Sequence, residues 1–153
     1  VSDAEIEMKM DREHLMRWMQ GDVHAVRFCE QFLHLCHWLD DIVDADVERS
    51  RDDGETMTWL ALVDLPSNTF YNQHRAQLQP VITAAVADWL TANTLEQGDA
   101  HERTVAYTLR CSILTVVAHC ALLIGGPVWA RQAGLEIRRY GHRETLEQYL
   151  EDL

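Results

Sequence analysis

Residues 23–48 run without a proline or a glycine and repeat their apolar side chains at the period of an α-helix. At 1.5 Å per residue this predicts a helix of roughly 39 Å. Projected at about 100° per residue, Phe28, Phe32, Leu35, Trp38, Leu39, Ile42 and Val43 cover more than half of its circumference. Glu30, His34, His37, Asp41, Asp44 and Glu48 fall in one strip, within about 80° of one another. A helix so broadly apolar must be covered by neighbours of its own kind. No stretch of the chain alternates as a strand would.

Stop-and-cap pairs divide the rest. Ser2 or Asp3 can cap a first helix over residues 4–20, and Gly21-Asp22 ends it and caps the next. A polar break at residues 50–54 precedes a short helix over 55–63, which stops before Leu65-Pro66. Ser67 or Asn68 then caps residues 69–95, where Pro80 either kinks one helix or opens a second. Gly98-Asp99 leads into residues 100–124. Gly125-Gly126-Pro127 breaks that element, Pro127 starts another that runs to Tyr140, and residues 143–153 make a last short piece. The expected fold is all-α: a single-domain bundle of six or seven helices over residues 1–153, built around a long central acidic helix. With 47% hydrophobic residues the chain can bury a core without disulfides.

The formal charge is −12, and residues 40–55 alone carry a net −6. Such a field repels nucleic-acid backbones and anionic lipid, so neither is an expected partner. The most apolar run, residues 113–126, contains His119 and is read as too short to span a bilayer. Cys29, Cys36, Cys111 and Cys120 form no CxxC pair and lie in apolar helical stretches, as reduced core thiols do. The opening segment is acidic and amphipathic rather than a signal peptide. A cytoplasmic location is expected.

The chemistry of the acidic strip admits two readings. The plainer is a solvated face on a mostly buried helix. Against it, Asp40–Asp44, Asp41–Asp44 and Asp44–Glu48 are like charges at helical spacing, with no Lys or Arg between His34 and Val47 to relieve them. Oxygen-rich clusters of this kind hold Mg²⁺ or Mn²⁺. On that reading Asp40, Asp41, Asp44 and Glu48 are metal ligands, His37 or His119 carries a proton, and Arg49 and Arg51 grip a phosphate-containing small molecule. His101, Thr108, Ser112, Thr115 and His119 project along one line of the helix expected at 100–124. They form a candidate polar wall, or simply a close-packing face.

Asp40-Asp41-Ile42-Val43-Asp44, followed by Arg49, resembles the first aspartate-rich DDxxD helix of trans-isoprenyl diphosphate synthases. The resemblance implies a Mg²⁺ cluster holding a diphosphate, with Asp40, Asp41 and Asp44 as ligands. It covers some fifteen residues. The second arginine of the family's pattern is replaced by Ser50, with Arg51 just beyond, and no second DDxxD exists in the chain. Residues 61–71, with Leu135-Glu136-Ile137-Arg138-Arg139-Tyr140, are similar to short proteins of phages and bacteria, which implies a source class and no activity.

Two functions therefore compete. One is Mg²⁺-dependent binding or hydrolysis of a diphosphate in a helical bundle. The other is a non-catalytic, homo-oligomeric interaction protein of phage or accessory type. Trp18, Trp38, Trp59, Trp89 and Trp129 are read first as core and alternatively as an interface. A ferritin-like metal store would need two ExxH pairs, which the chain lacks.

Overall fold

The protein, seen in a computed structural model, is described over residues 12–44 and 48–153. The expected start of the first helix, residues 4–11, lies outside them. The described residues are helical, with no strand. The helices are α1 (Arg12–Trp18), α2 (Val23–Asp44), α3 (Arg51–Trp59), α4 (Thr69–Leu95), α5 (Ala100–Arg110), α6 (Ile113–Gly141) and α7 (Leu146–Glu151). A π-helical turn, Leu60–Asp64, and a short α-turn, Leu65–Ser67, connect α3 to α4. By their internal contacts the residues divide into two compact units, Val1–Arg75 and Ala76–Leu153.

In the first unit, Gln20 and Gly21 are left-handed, at φ 51° and 81°, and they end α1. Asp22 then accepts at Oδ1 from the backbone N–H groups of His24 and Ala25, both at 3.0 Å, and caps α2. Leu15, Trp18, Met19, Ala25, Val26, Phe28 and Cys29 are buried to within 2%. Phe28 stacks on Phe32 at 6.0 Å and on Tyr71 at 5.7 Å between ring centroids. Buried Asn68 fastens this core. Its Nδ2 donates to the His24 carbonyl at 3.0 Å, while its Oδ1 accepts from the Tyr71 N–H at 2.9 Å and caps α4.

Residues 51–54, expected as a break, are instead the first turn of α3. The cause is a reciprocal cap: Ser50 Oγ accepts from the Asp53 N–H, and the Asp53 carboxylate accepts from the Ser50 N–H. The chain does not stop before Pro66 either. Proline has no N–H for the carbonyl four residues back and its ring crowds that carbonyl. Here the helix widens by one residue, and Leu65 N–H reaches the Leu60 carbonyl. In α4 the irregular backbone is at His74 (φ −112°, ψ 16°), six residues before Pro80 and beyond the carbonyl that its ring crowds, and the helix continues through Pro80.

In the second unit, Leu78, Ala85 and Ala92 recur every seven residues on α4 and are buried to within 3%, which lets helices approach closely. Leu114, Val116, Val117, Cys120, Ala121, Ala133 and Ile137 supply the α6 side of the core. The helix expected over 100–124 is interrupted at Cys111–Ser112, and Gly126 (φ 80°, ψ −177°) breaks α6 before Pro127. The apolar segment is also longer than the run of residues 113–126 suggests. A window within Ala100–Gly141 reaches a mean hydropathy of 1.9, long and apolar enough by composition to cross a membrane. Between the two interruptions, however, residues 113–125 rise only about 20 Å.

Candidate functional site

The acids of α2 lie at its C-terminal end, where a helix carries partial negative charge and repels carboxylates. Asp40 and Asp41 are half-buried, as is His37 one turn earlier, while Asp44 and Glu48 are exposed. Arg49, the arginine assigned to phosphate by the diphosphate reading, turns back and forms an ion pair with Asp41. Arg51 pairs with Glu55 at 2.8 Å along α3. Glu30, higher on the same strip, takes both oxygens to Arg12 Nη1 at 2.8 and 2.6 Å. At Asp41 and Glu30 the strip therefore meets cations from outside its own helix. Among the described residues no three His, Cys, Asp or Glu side chains are placed to share a metal ion.

His119 belongs to the second unit, on α6. Its Nε2 is buried without a hydrogen-bond partner, and desolvation pushes its pKa below the ordinary 6.5. The candidate polar wall is not one face. The interruption at Cys111–Ser112 splits it, Ser112 Oγ donates to Asp88 at 2.6 Å, and Thr115 Oγ1 accepts from Arg138 at 2.7 Å. These hydroxyls are spent on joining α4, α5 and α6.

A second polar cluster in this unit leaves no periodic mark in the sequence. Glu96, 8% exposed, accepts from Arg110 Nη1 at 2.6 Å and from the Tyr149 hydroxyl through a short hydrogen bond. Burial first, and then that bond to Glu96, raise the Tyr149 pKa. Tyr107 donates to the Glu144 carbonyl at 2.6 Å and packs 5.3 Å from Tyr149. The bonds of this cluster join the end of α4 to α5 and α7.

What the first unit does present is apolar. Trp59, Leu62 and Val63 follow one another at i, i+3 and i+4 on α3 and the π turn, with exposures of 61%, 72% and 36%. With Trp38 of α2, and with Arg51, Gly54, Glu55 and Thr58, they line a shallow open groove of about 560 Å³. The Trp38 indole N–H is buried without an acceptor. Leu39, Ile42 and Val43 at the end of α2 are also exposed, at 40%, 45% and 52%. Soluble chains scatter single apolar residues over their surfaces, but an exposed tryptophan beside leucine and valine in a groove marks a contact surface. The π turn helps to create it, since the inserted residue shifts the register of Leu62 and Val63 relative to Trp59; such turns recur at functional sites.

No protein-family model, no curated protein and no solved structure matches this chain.

Proposed function

We propose that this chain is a non-catalytic helical interaction protein whose first unit receives a basic amphipathic helix in the groove between α2 and α3. The exposed Trp59–Leu62–Val63 surface carries this reading. Its surroundings say what kind of partner fits. Glu48, Asp52 and Glu55 are exposed nearby in sequence, within the segment of net −6. An apolar groove flanked by carboxylates selects a helix with leucine-like anchors at i, i+3 or i+4 and arginines beside them. The same charge disfavours nucleic acid and anionic membranes as partners. The pairing of Asp41 with Arg49 and of Arg51 with Glu55 further supports interaction over diphosphate chemistry, because the groups required for the chemistry are already matched to each other.

The test is calorimetric titration of the full chain with a designed helical peptide bearing a leucine–arginine stripe, and with its glutamate-substituted counterpart. Binding of the basic peptide alone is expected, weakening as salt is raised and lost in Trp59→Ser/Leu62→Ser. Both side chains are exposed, so that variant keeps the melting temperature of the parent. Equal binding of the two peptides, or of neither, overturns the proposal.

A further inference from the structure

The chain itself carries a helix of the chemistry that this groove selects. Beyond the break at Gly126, residues 127–141 of α6 show an exposed stripe of Val128, Arg131, Leu135 and Arg139. Val128 is 66% and Leu135 52% exposed, unusual for apolar residues on a helix whose opposite side buries Ala133 and Ile137. Their spacing of i, i+3, i+7 and i+11 puts them on one face, with the two apolar anchors about 10 Å apart along the axis. Gln132 and Glu136 lie at one margin of the stripe, also exposed. The stripe's two arginines against one glutamate give it the opposite sign to the groove's surroundings.

We infer that the occupant of the groove is a second copy of this chain: the Val128–Arg131–Leu135–Arg139 ridge of one molecule docks against Trp59, Leu62 and Val63 of the next. This rests on the reading of the groove as a helix-binding surface. Charge decides the pairing. Two grooves face to face would oppose their carboxylates, and two ridges would oppose their arginines, whereas ridge to groove satisfies both. The contact is made either twice about a two-fold axis, each copy giving its ridge and receiving the other's, or once per neighbour, in which case association continues until a ring closes or a filament grows. Burial of Trp59, Leu62, Val128 and Leu135 supplies the drive, and the flanking charges set the orientation.

The experiment is sedimentation equilibrium on the full chain across a concentration series, at low and at high salt, with two variants. Leu135→Glu/Arg139→Glu removes the ridge and leaves the groove. Leu62→Glu removes the groove and leaves the ridge. The parent chain is expected to show a mass that rises with concentration to two chains or more and falls back in high salt. Each variant alone is expected to remain at the mass of one chain, and an equimolar mixture of the two to give a dimer and nothing larger. That last outcome is specific to a contact of ridge with groove between copies. A parent that holds the mass of one chain throughout overturns the inference, and so does a mixture that stays monomeric. If the designed basic peptide still binds in either case, the groove reading stands and only the identity of the occupant falls. If the peptide also fails, both fall together.

Discussion

Arg49 is paired with Asp41 across the end of α2, so the arginine and the carboxylate that the DDxxD resemblance assigns to two different ligands meet each other instead. A divalent cation at Asp41 would have to displace a guanidinium from a half-buried position, and no third carboxylate among the described residues is placed to compensate. The expected outcome is a melting temperature unchanged by millimolar Mg²⁺ or Mn²⁺, in the parent and in Asp41→Asn/Asp44→Asn alike. Arg49→Ala, in contrast, lowers stability by about 1 kcal/mol, the scale of a partly exposed pair. Scanning calorimetry with and without metal checks both. A metal-dependent rise in the parent that disappears in the double variant would restore the metal site.

Glu96 holds the second unit together through Arg110 and Tyr149, and its carboxylate is nearly inaccessible. Glu96→Ala takes the acceptor from a half-buried guanidinium and a buried phenol, and such a loss costs about 3 kcal/mol. Replacing all three together, as Glu96→Leu/Arg110→Met/Tyr149→Phe, removes the charges with their partners and is expected to restore most of that loss. Urea denaturation of the three-residue variant beside the single one decides the matter. If the triple variant is as unstable as Glu96→Ala, the cluster contributes more than mutual satisfaction of its charges.

The difference between these two clusters shows how much the sequence could reveal. The helical class, the Gly21-Asp22 junction and the break at Gly126 were legible because they depend on local chemistry: caps, left-handed glycines and a period of 3.6. The capping box at Ser50 was equally local, and the polar composition of residues 50–54 concealed it. The Glu96–Tyr149 bond spans 53 positions and leaves no periodic trace. Tryptophan is ambiguous for a further reason. Trp18 is 1% exposed and Trp59 61%, yet both lie on helices among apolar neighbours. Only the widening forced by Pro66 and the final packing separate them. The acidic strip was legible as a strip, but Arg49 and Arg12, which answer its charge, come from outside its helix.

Titration limits the stability of the fold at both ends of the pH scale. Desolvation lowers the pKa of His119, and desolvation followed by Arg138 lowers that of His142. The unfolded chain therefore takes up these protons first. Their contribution is complete above about pH 6.5 and declines as the pH falls through that value. The thiols act in the opposite sense. Burial pushes Cys36 up to about 12, with Asp40 adding to the effect, and Cys111 up to about 11. The folded chain keeps these protons longer, so this contribution is full below the ordinary value of 9.0 and is lost as the pH rises beyond it. Melting temperatures across a pH series are expected to show a plateau between about 6.5 and 9, falling on either side. His119→Gln is expected to flatten the acid limb. A thiol-directed disulfide reagent at pH 8 is expected to label the native chain slowly and the urea-unfolded chain fully.

Two glycines of α6 separate backbone need from packing need. Gly126 sits at φ 80°, ψ −177°, a region closed to residues with a Cβ, although a Cβ there would meet no other atom within 4 Å. Gly134 is helical and its Cβ would likewise meet nothing. Since neither substitution creates a clash, each reports on conformation alone. Gly126→Ala is expected to destabilise by about 1–3 kcal/mol, because alanine must leave the only backbone geometry that turns the chain into Pro127. Gly134→Ala is expected to stabilise by up to about 1 kcal/mol, through the lower entropy of the unfolded chain and the better helix propensity. Equilibrium denaturation of the two variants under one set of conditions should therefore give shifts of opposite sign. A neutral Gly126→Ala would mean that α6 can straighten through Gly126 at no cost. The apolar segment would then extend past the 20 Å that the break now allows it, and the exposed ridge from Val128 to Arg139 would rotate with it.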